Sequence, residues 1–191
     1  MNRIALTLAA LSLLPVAPAR AEVTAVSETG FIVKHSVVAA ADKAAVWKAL
    51  IAPSRWWNKS HTWSGNADNL YLDAQATGCF CEKLPKPADA PADQRMGSVE
   101  HMHVVYADPQ GGMLRMTGGL GPLQGEATGG IMTIRLTSVE GGTRIDVEYA
   151  VGGLLRIKGE QISGPVDKVL AEQFGRLGAL FPAAETRPDG G

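Results

Sequence analysis

The stretch Gly164–Pro182, GPVDKVLAEQFGRLGALFP, predicts a long helix near the end of the chain. Its large apolar residues recur every three or four positions, which places them on one face of an α-helix. Pro165 suits a first helical position, where the missing amide hydrogen costs no hydrogen bond, and Pro182 ends the pattern. The stripe consists of Val166, Val169, Leu170, Phe174, Leu177 and Phe181. We therefore expect a helix from about residue 165 to 181.

The chain before this helix alternates between one helical segment and several predicted strands. Residues 31–40, FIVKHSVVAA, are rich in β-branched side chains, and residues 41–53 then carry apolar residues at helical spacing until Pro53. Residues 54–58, SRWWN, predict a second short helical turn. Five strand candidates follow, separated by Gly, Pro and Asp: 69–84, 97–108, 112–124, 129–140 and 142–153. Short strands at short intervals indicate an antiparallel meander.

This order of elements resembles the helix-grip fold of the SRPBCC superfamily, which includes START domains, birch-pollen allergens and polyketide cyclases. The chain is most similar to secreted forms of polyketide cyclases and of homologues of heat-shock-protein ATPase activators. Three motifs carry that similarity: P..WW at Pro53–Trp57, GxFxE at Gly78–Glu82, and GGTRI…Y at Gly141–Tyr149. Thr77 stands where those relatives typically have a second glycine.

The resemblance implies an α+β fold in which a curved antiparallel sheet wraps around a long C-terminal helix. It also implies a cavity for a hydrophobic ligand between the sheet and that helix. The superfamily includes carriers, cyclases, hydrolases and chaperone partners, so the fold does not decide the function. A partnership with a cytosolic heat-shock ATPase is disfavoured, because residues 1–21 predict an export signal.

The first 21 residues predict a secretory signal peptide. Met1-Asn2-Arg3 is a positive start, residues 4–17 are an apolar core, and Ala19-Arg20-Ala21 has the small-x-small pattern of a cleavage site. The apolar run is shorter than the roughly 20 residues that span a membrane, and it contains Pro15. We expect a signal peptide over 1–21, a single domain over 22–191, a periplasmic or secreted location, and no stable membrane insertion after cleavage.

Composition and missing motifs exclude several function classes. The formal net charge is −1 and no basic stripe is present, so nucleic acid is not an expected partner. The sequence has no HExxH, no nucleophile elbow and no dinucleotide fingerprint, and we expect no cofactor. GGLGPLQG (118–125) lacks the lysine and hydroxyl of a phosphate loop, so we interpret it as a bend in the sheet, with Gln124 as an available polar contact.

Alternation along residues 70–84 predicts which face the two cysteines occupy. If this strand is unbroken, the even positions, including Phe80 and Glu82, face the interior, whereas Cys79 and Cys81 face outward. Residues two apart on a strand are separated by about 6.6 Å with parallel side chains, so we expect no disulfide between the cysteines. A bulge at Gly78 would permit the bond and turn Glu82 outward.

The pairing of this strand with residues 97–108 leaves three hypotheses open. If opposing residue numbers sum to 182, His103 faces Cys79 and His101 faces Cys81, a donor set that suits zinc or copper. A shift by one residue instead brings His101 to Glu82 inside the cavity, as an acid–base pair in which burial raises the pKa of the glutamate. The third alternative places both histidines on a solvated face.

Aromatic residues at the expected pocket mouth complete the candidate site. Trp57, His61 and Trp63 suit the recognition of a flat or oily ligand, and they suit a packed sheet edge equally well. The favoured function is an exported carrier of a small hydrophobic molecule. The alternatives are a cyclase or hydrolase using Glu82 and His101, and a metal-binding protein. The predicted ligand-binding residues are Trp57, His61, Trp63, Phe80, Glu82, His101, Gln124 and Phe174.

Overall fold

The computed structural model describes residues 20–183, which form one eight-stranded antiparallel sheet, two α-helices and four short 3-10 turns. The strands are β1 Arg20–Ser27, β2 Gly30–Ala39, β3 Leu70–Leu72, β4 Cys79–Leu84, β5 Gly97–Asp108, β6 Met113–Thr117, β7 Ala127–Val139 and β8 Gly142–Leu154. The helices are α1 Lys43–Leu50 and α2 Gly159–Ala179. The 3-10 turns are Pro53–Arg55, Lys59–His61, Ala67–Asn69 and Gly121–Gly125.

The sheet has the strand order β1-β2-β8-β7-β6-β5-β4-β3. Strands β3 to β8 form a meander in which each strand pairs with the next along the chain. Strand β2 pairs with β8, the last strand in the sequence. Helix α2 packs against β1 and β2. The predicted α+β architecture, a curved antiparallel sheet with a long C-terminal helix, is confirmed.

The core lies between the inner face of the sheet and α2. Alternate residues of β7 and β8, such as Ile134 and Val147, are buried on this face, whereas their neighbour Arg135 is exposed. From the other side, α2 contributes Leu170 and Phe174, each 1% exposed. Because these side chains leave water almost completely, each stabilises the fold by about 1.5–3 kcal/mol.

Helix α2 begins earlier than its sequence predicts, at Gly159, so Pro165 lies inside the helix and not at its first position. The start is fixed by a long-range contact: the Gly159 amide donates to the carbonyl oxygen of Glu28 at 3.1 Å. A Cβ at Gly159 would lie 2.1 Å from the carbonyl oxygen of Ser27. Only glycine therefore lets the helix approach the β1–β2 turn this closely, and spacing within the helix carries no sign of that turn.

The predicted strand over 69–84 is two strands, β3 and β4, which pair as a hairpin. The turn between them contains Thr77 with φ of 76°, in the left-handed region that a non-glycine residue rarely adopts. Leu70 pairs with Glu82 and Leu72 with Phe80, so even-numbered residues pair with even-numbered ones. Phe80 and Glu82 are both buried, as predicted for the inward face, although the premise of an unbroken strand is wrong.

Strand β1 has no counterpart among the predicted elements. It includes Arg20 and Ala21, the last two residues of the predicted signal peptide, and residues 1–19 of that peptide lie outside the described part of the chain. Within residues 20–183, neither α-helix is both long and apolar enough to cross a membrane.

Candidate functional site

A β-bulge at His101 and Met102, here called the β5 bulge, organises the candidate site. On one side of it Cys79 pairs with His103 and Phe80 with Met102; on the other side Cys81 pairs with Glu100. His101 is therefore an extra residue on β5, and both His101 and Met102 are buried. A single extra residue of this kind lets two consecutive side chains point the same way.

The bulge brings His101 to Glu82 in the interior. Glu82 is 0% exposed, and its Oε2 lies 3.0 Å from His101 Nε2. The same carboxylate accepts two backbone hydrogen bonds, from Trp63 N–H at 3.0 Å and from Ser64 N–H at 2.5 Å. Glu82, a residue of β4, thus anchors the Trp63–Ser64 backbone to the sheet. The ring of Trp63 itself is exposed.

The hydrogen bonds give Glu82 the opposite protonation behaviour to the one its sequence predicts. Burial raises the pKa of Glu82, but the hydrogen bonds from Ser64, Trp63 and His101 outweigh burial and hold that pKa below its ordinary value. Burial lowers the pKa of His101, against the opposing effect of the Glu82 charge. The pair is therefore a carboxylate that accepts a hydrogen bond from a neutral imidazole, and Glu82 does not fit the role of a general acid.

Cys79 and Cys81 form a disulfide, so the prediction that they stay unbridged is wrong. Their Cα atoms are 5.4 Å apart, closer than the about 6.6 Å of a regular strand, and the register with β5 shifts between Phe80 and Cys81. The extra residue, His101, belongs to β5 and not to β4, so the alternation along β4 is unbroken and Glu82 keeps its inward position. Because His101 also points inward, the predicted metal set of Cys79, Cys81, His101 and His103 is not assembled.

The space between the sheet and the C-terminal half of α2 is almost filled. The void there measures about 20 Å³, far below the roughly 300–1,000 Å³ of small-molecule sites. Trp56 stacks on Phe174 with ring centroids 5.6 Å apart, and Trp57 meets Phe80 edge-on at 5.1 Å. The predicted cavity is therefore a packed aromatic core here, and Phe80 and Phe174 belong to that core.

An open groove lies instead beside the N-terminal half of α2. This α2 groove has a volume of about 410 Å³. It brings together four of the predicted ligand-binding residues: Trp57, His61, Trp63 and His101. The other lining residues are Thr62, Leu120, Gly121, Pro122, Ile162, Pro165, Val166, Val169 and Leu170.

Hydrogen bonds hold the walls of the α2 groove in place. Trp57 donates its Nε1–H to the carbonyl oxygen of His61 at 2.9 Å, which closes the tryptophan-bearing segment on itself. On the opposite wall, the Tyr149 hydroxyl donates to the Gly118 carbonyl at 2.9 Å and accepts from the Leu120 amide at 3.2 Å. Burial raises the pKa of Tyr149 to about 12, so the hydroxyl keeps its proton for this role.

Sequence reasoning missed the contribution of α2 to the groove. Val166 and Val169 belong to the apolar stripe that predicts core packing, yet they are only half-buried and face the groove. Pro165 is exposed beside them. Gln124 lies outside the lining: it is exposed, and its side-chain amide donates to the carbonyl oxygen of Glu100 at 2.6 Å.

Comparison with known proteins places this geometry in a fold. No protein-family model and no curated protein matches the sequence. An uncharacterized protein from Rhizobium leguminosarum is 17% identical, with a TM-score of 0.54 over 85% of this chain and 97% of that one. CalU16 from Micromonospora echinospora is 15% identical, with a TM-score of 0.53 over 86% and 84% of the two chains. Ara h 8.0201 is 12% identical, with a TM-score of 0.51 over 79% and 97%. With a curved antiparallel sheet closed by a C-terminal helix, the chain has the helix-grip fold.

Proposed function

We propose that this chain binds a small, largely apolar molecule in the α2 groove. The observation that carries the proposal is the groove itself, since its volume of about 410 Å³ lies within the roughly 300–1,000 Å³ of small-molecule sites. Its walls combine two tryptophans with the half-buried side chains of Val166 and Val169. An apolar ligand would remove these surfaces from water, which drives binding at roughly 25 cal/mol per Å².

His101 supports a ligand with one hydrogen-bond donor. Because its Nε2 faces the Glu82 carboxylate, that nitrogen carries the proton, and Nδ1 of the neutral ring keeps its lone pair. Within residues 20–183 the hydrogen bond to Glu82 is the one that the His101 side chain makes. Because His101 lines the groove, we infer that a hydroxyl or amine on an otherwise apolar ligand would donate to its Nδ1.

We also propose that the chain acts outside the cytosol, in the periplasm or beyond. The signal-peptide pattern of residues 1–21 supports this location. The Cys79–Cys81 disulfide supports it independently, because disulfides persist in oxidising compartments and are rare in the cytosol. A ligand for this chain would then be a molecule that the cell exports, imports or meets outside.

Dye titration with matched variants tests the groove. Val166→Asp places a charge on the α2 wall, and Val38→Asp makes the same change at a residue of β2 that is 58% exposed and outside the groove lining. We expect an environment-sensitive apolar dye to lose at least about tenfold in affinity for Val166→Asp and to bind Val38→Asp like the unmodified protein. Equal affinities for all three proteins would contradict the proposal.

A pair of probes tests the hydrogen bond to His101. A naphthol and its methyl ether share one apolar surface, but only the naphthol has a donor. We expect the naphthol to bind about tenfold more tightly, the effect of one hydrogen bond of roughly 1.4 kcal/mol, and the preference to disappear in His101→Phe. A preference that survives this substitution would place the donor contact elsewhere. Native mass spectrometry of protein purified from its own compartment would then identify a retained ligand.

A further inference from the structure

The β5 bulge has a second effect, on the outer face of the sheet. Because His101 is the extra residue, Glu100 takes the position opposite Cys81, while His103 keeps the position opposite Cys79. Directly paired residues have Cβ atoms about 4.5–5.5 Å apart and share a face. Four side chains with metal-ligating atoms therefore meet on the face opposite to Phe80 and Glu82.

The distances among these four side chains suit a common cation. The two sulfur atoms and a Glu100 carboxylate oxygen all lie within 4.8 Å of one another. Glu100 Oε1 is in turn 3.3 Å from His103 Nδ1. Ligand atoms around a tetrahedral zinc ion with 2.3 Å bonds are about 3.8 Å apart. The two sulfur atoms, which are bonded to each other in the disulfide, would move apart after reduction to reach that separation. The Glu100 and His103 side chains are 54% and 43% exposed, whereas Cys81 is buried, so an ion from solution would reach the cluster from the side of Glu100 and His103.

We propose that the chain, once its disulfide is reduced, binds one thiophilic divalent cation of the zinc type through Cys79, Cys81, Glu100 and His103. Two thiolates, one imidazole and one carboxylate form a donor set that zinc accepts, whereas magnesium and calcium prefer oxygen ligands alone. The disulfide form offers no thiolate. The oxidation state of the cysteine pair would therefore decide whether the outer face holds a metal, independently of the α2 groove on the inner side.

The reduction step balances with a thiol reductant or a phosphine. A dithiol partner transfers two electrons and two protons to the S–S bond and leaves as its own disulfide; a phosphine takes its oxygen from water, whose protons end on the two cysteine sulfurs. Binding of a divalent cation then releases both thiol protons, because the thiolate is the ligand. In the cell the reductant would be a protein dithiol.

Cobalt spectroscopy on phosphine-reduced protein tests the site. We expect one Co²⁺ per chain, with sulfur-to-cobalt charge-transfer absorption and the intense visible bands of four-coordinate geometry, and displacement of cobalt by Zn²⁺. The unreduced protein and Cys79→Ser/Cys81→Ser should show neither. Circular dichroism of the reduced and double-serine proteins checks that each stays folded.

Single substitutions separate a four-ligand site from a bare thiol pair. Glu100→Gln and His103→Gln should each weaken Zn²⁺ binding at least about tenfold. Loss even of a residue that only hydrogen-bonds to a metal ligand lowers metal affinity by about 10–100-fold. His61→Gln, which removes a histidine from the α2 groove, should bind Zn²⁺ unchanged. Three results would overturn the proposal: no binding by the reduced protein, unchanged affinity in both the Glu100 and His103 variants, or one ion shared by two chains.

Discussion

The two halves of α2 cover the same sheet with opposite results. Its C-terminal half packs against three aromatic rings and leaves a void of only about 20 Å³. Its N-terminal half borders a groove of about 410 Å³. Phe174 is 1% exposed in the first region, and Val166 is only half-buried in the second. Both residues belong to one apolar stripe.

The difference shows where this helix-grip domain has room for a ligand. The interior between sheet and helix is occupied by Trp56, Trp57, Phe80 and Phe174, so a ligand finds room at the rim and not at the centre. At the rim, Glu82 holds the backbone of Trp63 and Ser64 beside the groove. Substitutions in each region can therefore separate stability from binding.

Truncation of Phe174 should have the largest effect on stability. Phe174→Ala removes a buried ring from the packed aromatic core and should lower the free energy of unfolding by about 3–5 kcal/mol. The equivalent change at the other end, Val166→Ala, should cost less than about 1 kcal/mol, because this side chain is half-exposed. Urea denaturation monitored by circular dichroism measures both. Similar costs at the two positions would remove the distinction between packed and open halves.

Glu82→Gln should have the next largest effect. The amide keeps the shape but leaves one of the backbone N–H groups of Trp63 or Ser64 facing another donor, so we expect a loss of about 1–3 kcal/mol. The same variant should also reduce dye binding in the α2 groove, because its Trp63 wall loosens. Unchanged stability, measured by the same urea titration, would mean that the carboxylate does not anchor this segment.

The dependence of stability on pH should be the smallest effect. It should involve His35, where α2 packs against β2. His35 is buried between β2 and α2, with its Nε2 3.1 Å from Asp167 Oδ1, although neither atom makes a hydrogen bond within residues 20–183. Burial lowers the pKa of His35 below its ordinary 6.5, against the opposing charge of Asp167. The unfolded chain therefore binds the proton more readily, and stability should fall as the pH drops below about 6.5.

Substitution of His35 isolates its share of that pH dependence. Burial also lowers the pKa of His101, so the unmodified protein should lose stability through both histidines between pH 7.5 and 5.5. His35→Gln should lose less over that interval. If the urea midpoint of His35→Gln shifts with pH as much as that of the unmodified chain, His35 is not a source of the effect.

The element order and the residue faces could be predicted because they follow local periodicity. The apolar stripe of α2 and the alternation around Phe80 and Glu82 gave the helix and the inward face correctly. The start of α2 could not be predicted, because a contact between Gly159 and the β1–β2 turn fixes it. Likewise, nothing within the stripe distinguishes Val166 from Phe174; that difference depends on which rings fill the space beneath the helix.

The site was predicted only in part, because its chemistry depends on one extra residue in β5, His101. A uniform register gives either His101 opposite Cys81 or His101 beside Glu82. The β5 bulge instead keeps Cys79 opposite His103 and still sends His101 to Glu82. Alternation along a strand cannot reveal a bulge on its partner, so the Glu100–Cys81 pair required the structure. The lowered pKa of Glu82 required it as well, because the hydrogen bonds from Ser64 and Trp63 that lower it join segments distant in sequence.

The pairing of β2 with β8 has a consequence for the folding kinetics of the chain. Gly30 pairs with Gly152 and Ala39 with Thr143, so the first strands can join the sheet only after the last strand exists. Closing so long a loop costs entropy before any contact repays it, and proteins rich in such contacts fold slowly. We expect the β3–β8 meander to form first and β1, β2 and α2 to dock late. Strand β2 would then lack its partner in the sheet until β8 has been synthesised.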